Sequence, residues 1–344
     1  MSLTVPPSWS ADWRRHLPVI PPERQARLLA EASEIVSGLQ AAAGLRGQRA
    51  LHARCPYATA NATLRVAPDL PEALRGGMMI PGAVYPVIAR YSNANSRVLP
   101  DRSPDQRGLA LRVVGPDGQA QDLLGTSGNP AHHAKDGPAM LTSLHAALGM
   151  MRGGSKVGAL WTLVRGVGLG DARRMMRDVT TAQDHDTTLA ALGFHSRAPF
   201  TLGPYAVKFS FLPIAGVAPA LQGEGEQALT LDMVARLRAG PVVYRWVAHG
   251  FTTPTETPLD DHRVVWDRAP LDLGEVVLTQ DAALTLAQAE AAATAIHPLS
   301  YGTHTRWDAQ HFEPLGELNL LRAAYQASAA GSGRDNAAGA ARAV

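Results

Sequence analysis

The chain of 344 residues carries 32 basic and 30 acidic side chains, so its formal net charge is only +2. This balance excludes a strongly basic nucleic-acid-binding protein and an acidic disordered chain. Hydrophobic residues make up 46% of the chain, which is enough to build a sizeable core.

The 29 arginines and three lysines are typical of a GC-rich genome. The single cysteine, Cys55, excludes an internal disulfide and a paired-cysteine metal site, and we expect it to pack rather than to act as a nucleophile. Residues 1–17 lack the apolar core of a secretory signal, and no run of about 18 apolar residues predicts a transmembrane helix. We therefore expect a cytoplasmic protein.

Residues 1–20 are predicted to form an irregular arm and residues 22–42 a helix, because apolar side chains recur there at helical spacing. Strands are predicted where apolar segments are bounded by glycine or proline. The clearest is 204–213, with strict alternation; the others are 59–66, 85–91, 108–114, 241–248, 263–266 and 274–278. Further helices are predicted at 139–151, 171–178, 229–239 and 282–295.

These seven or eight strands with interleaved helices predict an α+β domain built on an antiparallel β-barrel or a strongly bent sheet. We expect one domain over residues 21–326. Residues 327–344 are rich in Ala, Gly and Ser, and we expect them to form a disordered tail.

The side chains that could carry chemistry are concentrated in residues 49–136. Arg49 stands three residues before His52. Arg90 lies on a predicted strand 38 residues after His52, and Ser92 follows it by two residues. An Asp-Gln-Arg-Gly segment (105–108), an Asp-Leu-Leu-Gly segment (122–125), an Asn-Pro pair (129–130) and a Lys-Asp pair (135–136) follow. Each motif is weak alone, because a lone histidine is more often structural and Asn-Pro is a common turn.

The order and spacing of these motifs together resemble those of the haem catalases. The resemblance is dense over residues 45–140 and continues more loosely through 198–213. Because the chain is shorter than full-length catalases, it is most similar to the compact catalase-related proteins. The resemblance implies a catalase-like antiparallel barrel of about eight strands with surrounding helices, and haem b (iron protoporphyrin IX) as the cofactor.

On the distal side, the resemblance implies that His52 is the acid/base above the iron, because a neutral imidazole can move a proton between the two peroxide oxygens. Ser92 would hold the other imidazole nitrogen and fix the tautomer. A distal amide would orient the peroxide, and Asn129 is the amide available, although Ser127 lies closer to the position counted from Gly125.

Two arginines, Arg49 and Arg90, are implied to bind the haem propionates, because a guanidinium group matches a carboxylate in two-point contact. The alternative is that each forms a salt bridge at the barrel rim.

On the proximal side, Pro314-Leu315-Gly316 opens the predicted last helix, and the resemblance implies that Tyr325 ligates the iron as a tyrosinate. The family places an arginine four residues before this tyrosine. Here Arg322 stands three residues before it, which still makes the two residues neighbours on a helix. The alternative is an amphipathic helix with a core tyrosine.

The implied function is the decomposition or use of hydrogen peroxide or organic hydroperoxides by His-assisted O–O heterolysis at a tyrosinate-ligated ferric haem. The alternatives are a hydroperoxide-rearranging enzyme resembling the catalase-related allene oxide synthases, and a non-catalytic haem- or lipid-binding barrel. The expected partners are a small peroxide and, for a peroxidase, an organic electron donor. We expect no nucleic acid and no membrane span, and a monomer or homodimer.

Overall fold

The computed structural model describes residues 4–44, 49–128, 134–181, 186–268 and 270–330. Its helices are α1 (Pro22–Ala42), α2 (Gly137–Met151), α3 (Lys156–Thr181), α4 (Ala228–Ala239), α5 (Leu286–Ile296) and α6 (Gly316–Ala330). Its longer strands are β1 (Ala58–Val66), β2 (Val84–Asn93), β3 (Arg107–Val114), β4 (Ala120–Thr126), β7 (Tyr205–Pro213), β8 (Val242–Gly250) and β9 (Leu271–Leu278). Three short strands complete the sheet: β5 (Phe194–His195), β6 (Phe200–Leu202) and β10 (His311–Pro314).

Eight of these strands form a closed antiparallel barrel in the order β7-β5-β4-β3-β2-β1-β9-β8, and the pairing of β7 with β8 closes it. The strands β6 and β10 extend the sheet beside β7. Closure gives every strand of the barrel a neighbour on both sides, and the contact is shortest between β4 and β5, where only Thr126 and His195 pair. The predicted α+β fold with a barrel of about eight strands is confirmed.

The barrel interior is filled by alternating apolar side chains. On β7, Val207, Phe209 and Phe211 point into this core, whereas Lys208 and Ser210 lie on the outer face. This period of two is the pattern expected of a strand with two different environments. The outer face is therefore the side on which polar residues can meet covering helices.

Helices α1, α2 and α6 form a second apolar cluster outside the barrel, in which Ile35, Leu144 and Leu321 are buried together. The helix α1 begins at Pro22, where proline needs no backbone hydrogen bond, and its apolar face packs on the other two helices. This cluster holds α6 against the outer face of the barrel.

Several sequence-based assignments differ from the structure. The helix predicted at 171–178 is the last part of the longer α3, and the short strands β5, β6 and β10 were not predicted. The predicted strand 263–266 is wrong: these residues lie in a turn and loop in which Arg263 binds Asp261 and Asp171, and Trp266 packs on Phe251. The strand β4 was not predicted, because its buried Asp122 interrupts the apolar pattern.

The predicted N-terminal arm contains a short 3-10 helix, Asp12–His16, and is bound to the barrel. Trp9 and Trp13 are buried, and the Trp13 indole donates to the Pro204 carbonyl oxygen at 2.9 Å. At the other end, α6 continues to Ala330, four residues into the predicted tail, and 331–344 lie outside the described residues. No helix in the described part of the chain is long and apolar enough to cross a membrane.

Candidate active site

A cavity of about 280 Å³ lies on the outer face of β2, β3 and β4. The strand register explains its floor: Ser92 pairs with Gly108, and Gly108 pairs with Thr126, so the three residues lie side by side and line the cavity. Directly paired residues share a face of the sheet. The neighbouring row of the ladder also lines the cavity and comprises Arg90, Ala110 and Leu124.

The remaining walls come from outside the barrel. Apolar side chains of α2 and α6 cover one side: Met140, Leu318 and Leu321. Two irregular segments, 49–52 and 301–303, close the other sides. The site thus combines a polar strip on the strands with apolar helix side chains, the composition usual for a small-molecule pocket.

His52 is the central polar group of the cavity. Its Nδ1 lies 3.0 Å from Ser92 Oγ, and its Nε2 has no hydrogen-bond partner among the described residues. The backbone of His52 has φ 61°, a left-handed conformation that is strained for a side chain of this size. Gly108 makes room for the imidazole, since a Cβ there would lie 2.8 Å from Ser92 Oγ and 3.3 Å from His52 Cε1.

Burial, followed by the nearby charges of Arg90 and Arg49, lowers the pKa of His52 to about 3. The imidazole is therefore neutral at physiological pH. When Nδ1–H donates to Ser92 Oγ, Nε2 carries the lone pair and can accept a proton from a molecule in the cavity.

Two arginines line the same cavity without an ion-pair partner among the described residues. Arg49 Nε donates to the His297 carbonyl oxygen at 3.3 Å, and its Nη2 donates to that of Leu299. Arg90 Nη1 donates to the same two carbonyls at 3.4 and 3.3 Å, and its buried Nε has no partner in the described structure. The Arg90 guanidinium also stacks 4.7 Å from the Tyr301 ring centre.

The charge of these arginines is therefore poorly compensated. Burial, followed by repulsion from Arg90, lowers the pKa of Arg49 to about 9, and burial also lowers the pKa of Arg90. Arg49 remains protonated at neutral pH. A cavity with this field favours an anionic ligand group.

A third arginine on the same sheet face has a different environment. Arg112 makes two hydrogen bonds of 2.8 Å to the carboxylate of Asp122, and it donates to the Ser300 carbonyl oxygen at 2.6 Å. Asp122 also accepts the backbone N–H of Gly302 at 2.9 Å. This buried pair anchors the segment that forms a cavity wall.

Thr126 is a cavity residue that the sequence reasoning missed. Arg197, buried and at φ 66°, donates from Nε to Thr126 Oγ1 at 2.8 Å, and the threonine proton has no acceptor among the described residues. Recognition of β4 would have revealed it, because Thr126 shares a face with Asp122. Ser127 does not line the cavity, since its buried Oγ accepts the Arg107 backbone N–H at 2.8 Å. Asn129 lies outside the described residues.

The last helix forms the remaining wall. It begins at Gly316, as the Pro-Leu-Gly segment predicts, and Arg322 lines the cavity. Arg322 donates to Asn319 Oδ1 at 3.1 Å and to the Ser196 carbonyl oxygen at 3.0 Å, and burial lowers its pKa to about 10. Tyr325 belongs to α6, but its side chain lies outside the described part of the structure.

The lone cysteine is not part of this cavity. Burial raises the pKa of the Cys55 thiol to about 11, so the thiol is protonated at neutral pH and is a weak nucleophile. This agrees with the packing role expected from the sequence.

Neither a protein-family model nor a curated protein sequence matches the chain significantly. Solved structures do match. A bacterial catalase aligns at TM-score 0.57 and 16% identity over 83% of this chain and 57% of its own. A fungal catalase aligns at TM-score 0.60 and 14% identity over 81% and 57%, and catalase A from Saccharomyces cerevisiae at TM-score 0.59 and 13% identity over 81% and 59%. The chain therefore has a catalase-like fold and spans less than three fifths of the length of these catalases.

Proposed function

We propose that the chain is a haem-dependent enzyme that processes peroxides in this cavity. The observation that carries the proposal is the His52–Ser92 pair, a neutral imidazole held at Nδ1 at 3.0 Å with Nε2 left for a ligand. The catalase-like fold supports the proposal, because Ser92 lies on strand β2 of that barrel and His52 faces it from the irregular segment 49–52.

The described cavity residues fit a haem. Arg49 and Arg90 would hold its two propionates, since both lack a carboxylate partner in the described structure and Arg90 Nε is buried without an acceptor. Leu318, Leu321 and Met140 supply apolar wall for the porphyrin. When bound, the haem would supply the iron at which a peroxide O–O bond is cleaved.

On the side of α6, we propose Tyr325 as the iron ligand and Arg322 as the cation that lowers the pKa of its phenol. Arg322 suits this role because it is buried at the cavity and carries a charge that no described carboxylate neutralises. A positive charge beside a phenol favours the phenolate.

His52 would take the proton from one peroxide oxygen at Nε2 and return it to the other, while Ser92 holds the ring in one tautomer. Asn129 stays the amide proposed to orient the peroxide. Thr126 is a second candidate for this role, because its hydroxyl already accepts from Arg197 and can donate its own proton into the cavity. Hydrogen peroxide and organic hydroperoxides both suit this chemistry, with an organic electron donor required for a peroxidase reaction.

The test is an absorption spectrum of the full chain purified with haem. We expect stoichiometric haem and a ferric tyrosinate spectrum that changes in Tyr325→Phe. The matched control is Tyr205→Phe, at the start of β7 and away from the cavity, which should leave the spectrum unchanged. Failure to retain haem, or an identical spectrum in Tyr325→Phe, contradicts the proposal.

A further inference from the structure

Exposed apolar side chains are concentrated on the first half of α3. Val157, Leu160 and Trp161 are 65%, 37% and 62% exposed, and their spacing of three and four residues places them on one side of the helix. The other five tryptophans of the chain are buried or half-buried, so Trp161 stands apart. We call Val157, Leu160 and Trp161 the α3 face.

The α3 face borders the side by which the helix is attached, since Val164, one turn after Leu160 and Trp161, already packs against the cluster that joins α3 to α2. Leu163 packs with Ala139 and Ala146 of α2, and Ala159 lies against the same cluster. Among the described residues, nothing buries the α3 face. An exposed apolar patch of this kind is typical of an interaction site.

Basic side chains surround the α3 face. The helix is kinked at Gly168, and residues 152–167, which precede the kink, contain three basic residues and no acidic residue. Exposed Lys156 adjoins Val157, and exposed Arg165 lies one turn after Trp161. Since the whole chain carries only +2, the positive charge of this segment is a local feature.

We propose that α3 docks the protein peripherally on an anionic lipid surface, with the α3 face against the acyl boundary and the basic residues against the headgroups. Apolar and aromatic residues on one helix face with lysine and arginine beside them are the features of interfacial helices. A second copy of the chain fits less well, because a two-fold contact between α3 faces would bring the same cations together. The docking does not depend on the proposed haem chemistry.

The location of α3 gives the docking a consequence for the proposed function. Its partner helix α2 carries Met140 into the wall of the cavity. A docked protein would therefore hold the cavity close to unsaturated acyl chains, whose peroxidation yields organic hydroperoxides. This consequence rests on the proposed function, whereas the docking is testable alone.

The test is flotation of the full chain with vesicles of phosphatidylcholine alone and with about one third phosphatidylserine. We expect binding to the anionic vesicles only, with a shift of tryptophan emission to shorter wavelength. The double variant Val157→Ser with Trp161→Ser should bind at least about tenfold more weakly than the wild type, since two exposed apolar side chains are lost. Lys156→Glu with Arg165→Glu should have a similar effect.

The matched controls change equally exposed residues elsewhere: Ile80→Ser with Val98→Ser, and Arg27→Glu with Arg97→Glu. Both controls should bind as the wild type does. Absent binding to anionic vesicles, equal binding to neutral vesicles, or equal loss in the controls overturns the proposal. Sedimentation velocity tests whether the α3 face binds a second copy of the chain instead. Self-association that the α3 variants abolish, together with no vesicle binding, would overturn the proposal and assign the face to a second copy.

Discussion

Two buried arginine regions lie a few residues apart on the same outer face of the barrel, and they differ in what compensates their charge. Arg112 has a buried carboxylate, Asp122, in two-point contact at 2.8 Å. Arg90 lies two residues along β2 from Ile88, the residue that pairs with Arg112. It has only two long hydrogen bonds to carbonyl oxygens, and its buried Nε has no partner among the described residues.

The difference separates an arginine that stabilises the fold from two arginines that are available to a ligand. A buried charge is costly unless it is paired, so the Arg112–Asp122 pair is complete as a structural element. Arg90 and Arg49 remain uncompensated in the described structure and leave a field suited to an anionic ligand. The histidine proposed as the acid/base lies at this open end, where the same cations hold its pKa down.

The largest effect is expected on the free energy of unfolding, and it compares the paired arginine, Arg112, with the unpaired one, Arg90. Asp122→Ala should lower the free energy of unfolding by about 3 kcal/mol, because it leaves the half-buried Arg112 charge without its carboxylate. Arg90→Met should change it by less than about 1 kcal/mol, because it removes a charge that no carboxylate balances. Urea unfolding of the two haem-free variants measures the difference. A loss in Arg90→Met as large as that in Asp122→Ala would make Arg90 structural and remove the contrast.

The next effect concerns the rate of reaction with peroxide at the His52–Ser92 pair, which lies beside the unpaired arginines. His52→Ala should retain haem but react with peroxide about 100-fold more slowly, the usual contribution of an acid/base group. Ser92→Ala should slow the reaction less, because the imidazole remains and only its Nδ1 partner at 3.0 Å is lost. Stopped-flow absorption of the peroxide-reacted protein measures both rates. A wild-type rate in His52→Ala would be incompatible with the proposed role.

The smallest effect is expected on the pH dependence of the peroxide rate, which should be nearly flat around neutral pH. An ordinary histidine, with a pKa of about 6.5, would lose its basic nitrogen as the pH falls below that value. Because burial and the neighbouring arginines lower the pKa of His52 to about 3, the peroxide rate should stay flat from about pH 8 to pH 5.

Arg90→Met sharpens this prediction. Removing the cation should raise the pKa of His52, so the fall in rate on the acidic side should begin at a higher pH than in the wild type. Rates measured across this range in both proteins give the comparison. A wild-type rate that already declines below about pH 6.5 would mean that the imidazole is not held neutral.

Local patterns were enough to predict much of the fold. The helical spacing after Pro22 and the strict alternation on β7 reflect a single buried face each, so α1 and β7 are readable from sequence. The strand β4 was missed and 263–266 was misassigned, because their side chains are governed by distant partners: Asp122 by Arg112, and Arg263 by Asp171.

For the candidate site, the amino-acid sequence was sufficient to name most of the residues and their order along the chain, and the resemblance to catalases rested on that order. Which of these residues meet depends on the folded chain. It brings His52 to Ser92 across 40 residues and places Thr126, rather than Ser127, in the cavity wall. The cause is the register of the strands. In a strand every second residue shares a face, so a shift of one residue moves a side chain from the cavity to the barrel core.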